Sequence, residues 1–376
     1  MKFVISSSDL LSHLQAISRV ISSKNTLPIL DNFLFHLEDS TLEITASDLE
    51  TTMITQITLQ NASESGSVAI PAKILLDTLK EFADQPLSFD IDTNSYAVVI
   101  NSENGRFSVV GQNASDFPQL PVIKSDKKNS LRAGYEVLLN GINKTLFATA
   151  DDELRPVMNG VFIELGGDNL TFVASDAHKL VRYKRNDIKP GNNASFILPK
   201  KPASLLKNIL PKESNDISID FDDKNAIFKL TNYTLVCRLV EGNYPSYNTV
   251  IPVGNPNKLR VDRLEFYNSL RRVSVFANQA SNLVKLQLTG NQLTISAQDI
   301  DFSISAYERI KCNYDGDDME IGFKSVFLIE ILSNLTSGDV VFELSDPSRA
   351  GIMVPAEVET EGEDILMLLM PMMINA

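Results

Sequence analysis

Asp168-Asn169-Leu170-Thr171-Phe172-Val173-Ala174-Ser175-Asp176 decides how this chain is read, because its pattern occurs three times. The first occurrence is Ser40-Thr41-Leu42-Glu43-Ile44-Thr45-Ala46-Ser47-Asp48. The third is Gly290-Asn291-Gln292-Leu293-Thr294-Ile295-Ser296-Ala297-Gln298-Asp299. Each alternates apolar and polar residues, the signature of a half-buried strand, and each ends in Ala-(Ser/Gln)-Asp. The three aspartates stand 128 and 123 positions apart. The same two intervals separate Lys73, Lys201 and Lys324. These lysines close Ile70-Pro71-Ala72-Lys73, Leu198-Pro199-Lys200-Lys201 and Ile321-Gly322-Phe323-Lys324, each of which opens a helical stretch. Phe117-Pro118 and Tyr244-Pro245 form a third, weaker marker. The chain therefore reads as three copies of one domain, 1–123, 124–254 and 255–376.

Each copy is expected to follow one plan. An amphipathic helix leads. In copy one, Leu10, Leu14, Ile17 and Ile21 recur at helical spacing as its buried face, opposite Ser12, Gln15, Arg19 and Ser22. Strands follow, then a second helix. Its apolar face is Leu75, Leu76, Leu79 and Phe82, with Lys73, Asp77 and Lys80 together on another. Further strands close the unit, one hairpin being marked by Asn104-Gly105, a pair suited to a type I′ turn. Two helices on one face of an antiparallel sheet make an α+β domain.

The composition, 43% hydrophobic and 22% charged, is that of a soluble globular protein. Met1-Lys2-Phe3-Val4-Ile5-Ser6 turns polar too soon for a signal peptide, and no apolar run reaches the ~18 residues of a spanning helix. Cys237 and Cys312 show no motif spacing and read as free thiols in a reducing cytoplasm. Asn193-Ala194-Ser195 matches a glycosylation triplet by chance.

The net charge of −14 argues against nucleic acid until its placement is considered. Residues 10–25 hold Arg19 and Lys24 and no acid. Residues 199–212 hold Lys200, Lys201, Lys207 and Lys212 and no acid, and residues 259–272 set four arginines against Asp262 and Glu265. Acid collects at 315–318 and 357–364. A charge run is usually a solvated helix face. Its recurrence in repeated helices points instead to one basic surface on an acidic molecule. Such a surface touches phosphates, reads no bases and weakens steeply with salt.

Enzyme motifs are not found: no Gly-x-Gly-x-x-Gly, no Gly-Lys-Ser/Thr loop and no Gly-x-Ser-x-Gly elbow. His13 reads as a surface or phosphate-facing residue of the first helix, and His36 as a strand-face residue. Neither has a partner at metal-ligand spacing. Ser175-Asp176-Ala177-His178 alone tempts a catalytic reading. Both other copies repeat the Asp without the His, so a turn-former that caps backbone N–H groups explains it better. No catalytic residue, metal or cofactor is expected.

With these residues together, the chain resembles the beta subunit of bacterial DNA polymerase III, the sliding clamp family. The resemblance covers the whole length. It rests on Met1-Lys2-Phe3, on Thr26-Leu27-Pro28-Ile29-Leu30-Asp31-Asn32 and on Ala174-Ser175-Asp176-Ala177-His178-Lys179-Leu180. Tyr244-Pro245-Ser246-Tyr247 and the ending Met370-Pro371-Met372 complete it. It implies a head-to-tail homodimer, a closed ring of six DNA-clamp domains with helices facing duplex DNA. The implied partners are that DNA, a second copy, the replicative polymerase catalytic subunit, the clamp loader, and repair and translesion polymerases; no membrane is implied. The DNA contacts carried over are Arg19, Lys24, Lys73, Lys80, Arg155, Lys200, Lys201 and Lys207. A peptide-binding pocket is implied at Met158, Ser175, Ala177, His178, Lys179, Leu180, Pro245, Val250, Leu368, Met370, Pro371 and Met372. Met and Leu walls of this kind mould to Leu and Phe side chains of several partners. The dimer seam is implied at Phe107 and Val109 on one side and at Val275 and Phe276 on the other.

Three departures stand out. Pro156-Val157 replaces a frequent aromatic pair, Asn248-Thr249 stand where some relatives are basic, and Ala177 replaces the usual Gly. The chain also runs on through Met373-Ile374-Asn375-Ala376. A three-domain scaffold that never encircles DNA, and a hydrolase using Ser175, Asp176 and His178, are the alternatives; the scaffold has no need of basic helices.

Overall fold

A computed structural model describes every residue except 122, 124–127, 359 and 375–376. Residue 124, at the expected first domain junction, and Asn375-Ala376 of the tail lie outside the described residues.

Each copy opens on a strand rather than on its helix: Lys2–Ser6, Asn129–Gly134 and Asn257–Asp262. The leading helices follow as α1 (Ser7–Ser18), α3 (Tyr135–Thr145) and α5 (Arg263–Ser274). The second helices are α2 (Ala72–Lys80), α4 (Lys200–Ile209) and α6 (Ser325–Asn334), which begin where the lysine markers stand. α1 buries Leu10, Leu14 and Ile17, and α2 buries Leu75 and Leu79, so the helical stripes hold. α1 nevertheless ends at Ser18, leaving Ile21 and Lys24 beyond it, and Val20 takes the buried place instead. Ser22 Oγ accepts from the Lys24 N–H at 3.1 Å, a local turn that competes with the helix. Phe82 likewise lies past α2, its ring edge-on to Phe107 at 5.2 Å. The expected helix at 259–272 begins only after Asp262, whose carboxylate caps the Glu265 N–H at 2.7 Å. Leu259 and Arg260 are therefore strand residues. The Asn104-Gly105 hairpin joins Ala97–Asn101 to Arg106–Val110, but through the four residues 102–105. Neither Asn104 nor Gly105 has a positive φ, so the turn is not type I′. Gly105 makes room instead, since an added Cβ would meet the Phe107 ring at 3.0 Å.

The chain forms two compact units that cut across the repeat: residues 1–136 with 204–239, and residues 137–203 with 240–376. The first holds a five-stranded sheet, in order Asn61–Ser63, Lys2–Ser6, Pro86–Asp92, Ala97–Asn101, Arg106–Val110. Its eight-stranded sheet joins strand Tyr233–Arg238 of copy two to Thr51–Thr58 of copy one, antiparallel. The second unit holds a nine-stranded sheet in which Glu363–Leu369 of copy three joins Lys179–Arg185 of copy two, again antiparallel. Its four-stranded sheet runs Ile304–Lys311, Gln292–Asp299, Leu283–Thr289, Met319–Lys324.

The main core of the second unit lies between sheet and helices, with Phe266, Leu270, Leu328, Ile331, Phe323 and Phe342 fully buried. Each such side chain contributes roughly 1.5–3 kcal/mol on leaving water. Cys237 is buried and Cys312 half-buried, both as free thiols.

Candidate functional site

The three repeated aspartates act alike. Asp48 Oδ1 accepts from the Glu50 and Thr51 N–H groups at 3.0 and 2.7 Å. Asp176 Oδ1 accepts from His178 and Lys179 at 2.9 and 2.8 Å. Asp299 Oδ1 accepts from Asp301 at 3.0 Å and from Phe302 at 3.4 Å. The turn-former reading is borne out, and the triad reading fails on geometry. Ser175 Oγ donates to the Lys179 carbonyl at 2.9 Å, Asp176 faces Lys179, and the His178 ring lies against Phe327, centroids 6.0 Å apart. Ser175 and Asp176 are both engaged by Lys179 and His178 by Phe327, so the three make no proton relay.

The strand after the Asp176 turn has two apolar faces. Val181 and Met367 look to the helical core, while Leu180, Leu366 and Leu368 look the other way. Leu180 and Leu368 face each other across the ladder, and Val173, Ile352 and Tyr247 complete the patch. It is roofed by the segment around Tyr244 and Tyr247: Tyr244 stacks on Phe162 at 4.7 Å, and the Tyr247 hydroxyl donates to Glu164 at 2.6 Å. Val250 (58% exposed), Pro245 and Met370 (42% exposed) are open to solvent. Met158, half-buried, ends the short turn Pro156–Met158.

Two of the expected pocket residues are placed differently. Ser175 is buried within its own turn. Strand alternation turns Lys179 to the helix side, where its side chain is 5% exposed and its Nζ sits 2.8 Å from Asp176 Oδ2 and 3.0 Å from Glu330 Oε2. Burial alone would raise the Asp176 carboxyl, but the Lys179 ammonium and the two backbone N–H groups outweigh it and hold it below the usual range. Phe327 and Lys324 also border the turn, the ammoniums of Lys179 and Lys324 lying 4.3 and 5.0 Å from the Phe327 ring centre. Sequence reading gives Phe327 no role and Lys324 only that of a repeat marker, because both stand some 150 positions from the motif.

The tail is held rather than frayed. The Met370 N–H donates to the His178 carbonyl at 2.9 Å, and the Met372 N–H to the Gly322 carbonyl at 2.8 Å. A Cβ on Gly322 would come within 2.8 Å of the Met372 carbonyl, so the close approach requires glycine there.

The basic residues fall in both units. In the first unit, Arg19 shares a cleft of about 130 Å³ with Ser12, Gln15, Asn208, Lys212 and Tyr233. Gln15 and Asn208 carry no signal of their own in the sequence, being polar residues on helices, whereas Lys212 belongs to the basic stretch 199–212. Lys24, Lys73 and Lys207 are exposed and Lys201 half-buried. Lys80 pairs with Asp77 at 3.1 Å, Arg155 with Asp152 at 2.8 Å and Lys200 with Asp151 at 2.7 Å, which reduces the free charge they present. Arg260 pairs with Asp339 and Arg272 with Glu308, so copy three offers fewer free cations than its sequence implies. His13 is not a surface residue: it is half-buried, bonded through Nδ1 to the Thr55 hydroxyl and tilted against Tyr233. His36 lies on its strand face beside Ser67 at 2.7 Å.

Arg106–Val110 and Ile304–Lys311 are each the last strand of a sheet. Phe107 (39%) and Val110 (69%) are exposed on the first, with Val109 half-buried. Val275 (73%), Phe276 (36%) and Phe302 (71%) are exposed beside the second.

The family descriptions DNA polymerase III beta subunit, N-terminal, central and C-terminal domain match residues 1–121, 134–246 and 248–373. The chain belongs to the DNA polymerase III beta subunit family. A beta sliding clamp of Synechocystis is 32% identical over 378 residues, 94% of this chain and 96% of that protein. One from Pseudomonas aeruginosa is 27% identical over 373 residues, 99% of this chain and 100% of its own. The crystal structure of the Pseudomonas aeruginosa clamp bound to griselimycin superposes with a TM-score of 0.93 at 26% identity, covering 100% of both chains. A Bartonella birtlesii clamp, also bound to griselimycin, gives 0.91 at 28% with the same coverage. Beta subunits of this family are processivity factors, so the chain is a sliding clamp and not an enzyme. No helix among the described residues is long and apolar enough to cross a membrane.

Proposed function

We propose that two chains close head to tail into a ring of six domains around duplex DNA, and that the apolar face above Leu180 and Leu368 tethers the replicative polymerase. One observation carries the ring. Within the chain, the last strand of copy two pairs with the strand after the Asp48 turn, and the last strand of copy three with the strand after the Asp176 turn. Continuing the rule leaves the last strand of copy one, Arg106–Val110, and the strand after the Asp299 turn, Ile304–Lys311. Both are edge strands that expose large apolar side chains, Phe107 and Val110 on one and Ile304 and Tyr307 on the other, which exposed edges avoid unless they pair. A second copy satisfies both at once, and a closed pair of such seams pairs these two edges in each chain. Phe107 and Val109 then meet Val275 and Phe276 of the second copy.

The domains run 1–123, 124–254 and 255–376. Arg19, Lys24, Lys73, Lys80, Arg155, Lys200, Lys201 and Lys207 guide the phosphate backbone without reading bases, joined by Gln15, Asn208 and Lys212 of the cleft. Short peptides of the polymerase catalytic subunit, clamp loader, and repair and translesion polymerases enter between Pro245, Val250, Met370 and Met372, over Leu180 and Leu368, with Met158, Ala177, His178 and Pro371 along the rim. The protein works in the cytoplasm. The test is native mass by light scattering, then retention on circular and linearised DNA. Wild type should have twice the chain mass of 41.6 kDa and slide off linear DNA alone. Phe276→Asp should be monomeric and retained on neither. A variant that stays dimeric removes this seam.

A further inference from the structure

We infer that Lys179 is a positioning residue: its buried ammonium latches the pocket turn to α6 and so sets the rim on which a partner peptide closes. The inference rests on the peptide-pocket reading. Lysine is almost never fully buried unless paired, and Lys179 is 4% exposed. Its Nζ lies 2.8 Å from Asp176 Oδ2, while Asp176 Oδ1 takes the two backbone N–H groups of the turn. The ammonium thus fixes the rotamer of the carboxylate that shapes the turn. The same Nζ lies 3.0 Å from Glu330 Oε2 and 4.3 Å from the Phe327 ring centre. Phe327 and Glu330 are three residues apart on α6 and share one face. Phe327 in turn carries the His178 ring, and the His178 carbonyl holds the Met370 N–H. One charge therefore ties together turn, helix and tail.

The other copies lack this charge. Thr51 stands at the matching place in copy one, and Phe302 in copy three. A lysine meant for peptide contact would lie open at the rim. This one is turned to the opposite side of the sheet, where removing it leaves Asp176 and Glu330 without their counter-charge.

The experiment is fluorescence anisotropy with a short fluorescein-labelled peptide ending in Leu-Phe, on the full-length dimer. Lys179→Met keeps the long stem and removes the charge; its Kd should rise about tenfold. Glu330→Gln, on a part-exposed helix position that tolerates the change, should raise Kd less. The double variant should be no worse than Lys179→Met alone, whereas Met370→Ala, a rim contact, should add independently to Glu330→Gln. Native mass and retention on circular DNA should not change in any of them. An unchanged Kd for Lys179→Met and Glu330→Gln, with Met370→Ala weakened, overturns the latch and leaves the pocket. Strict additivity of Lys179→Met and Glu330→Gln also overturns it, since Lys179 would then act through the peptide. Failure of the wild type to bind the peptide sinks the pocket reading and the latch together.

Discussion

The turns at 47–51 and 175–179 are built from the same bonds, yet only the second borders an apolar face. In both, the serine hydroxyl accepts from the residue two ahead, at 3.2 Å from Leu49 and 3.1 Å from Ala177. In both, the aspartate caps the N–H groups two and three positions on. In both, the residue after the aspartate is left-handed, Leu49 at φ 78 and Ala177 at φ 73. Each turn also takes a bond from a neighbouring strand: the Arg238 N–H donates to the Glu50 carbonyl at 2.8 Å, and the Met370 N–H to that of His178 at 2.9 Å. The two turns differ in their flanking side chains. Copy one places Thr45 and Thr52 where copy two places Val173 and Leu180. The Thr52 hydroxyl closes on Ser47 at 2.8 Å, and the turn satisfies itself. Leu180 has no such bond and packs on Leu368, Ile352 and Tyr247. A shared backbone device thus gives a self-satisfied corner in one place and the border of an apolar face in the other.

Exchanging the side chains should break the contrast. Leu180→Thr buries a hydroxyl among aliphatic groups and removes a branch of the patch. It should cost about 2–4 kcal/mol and abolish peptide binding. The reverse change, Thr52→Leu, loses one hydrogen bond and should cost only about 1 kcal/mol. Thermal unfolding of both variants measures this, and equal costs would mean the two corners do not differ as described.

Acid should weaken the second turn in a way traceable to one group. Because the folded Asp176 carboxyl lies below its unfolded value near 4, its contribution is present above that pH and is lost as pH falls through the folded value. The difference in melting temperature between wild type and Asp176→Asn should therefore be full at pH 7 and shrink below about pH 4. A gap independent of pH would mean that neither the backbone N–H groups nor the Lys179 ammonium favours the ionised carboxyl.

The smallest effect concerns the backbone the two turns share. Leu49→Gly and Ala177→Gly each relieve a left-handed side-chain clash at some cost in chain entropy, and each should stabilise by less than about 1 kcal/mol. Similar gains would make strain a property of the turn; a gain at only one would give the side chain a role of its own.

Much of this was legible in the sequence. The lysine markers located the second helix of every copy and periodicity the leading helix of copy one, because period and spacing survive translation into structure, whereas the leading helix of copy two, Tyr135–Thr145, went unread. The opening strand of each copy went unread in front of a helix, since five or six residues leave too little pattern to separate them. Among the candidate site residues, Leu180 and Leu368 pack in one cluster and the Met370 N–H reaches the His178 carbonyl, whereas Lys179 lies on the helix side and His13 is half-buried.

The sequence by itself determined the repeat, the alternation of its strands and the local bonds of each Asp turn, all of which depend on residues a few positions apart. Only the tertiary structure decided which strand ends meet. It brought Glu330 and Phe327 to Lys179, Met370 to His178, and two apolar sheet faces back to back at Val181 and Leu180. Those contacts join residues more than a hundred positions apart. Their free energy comes from burial and charge pairing across strands, which no local pattern records.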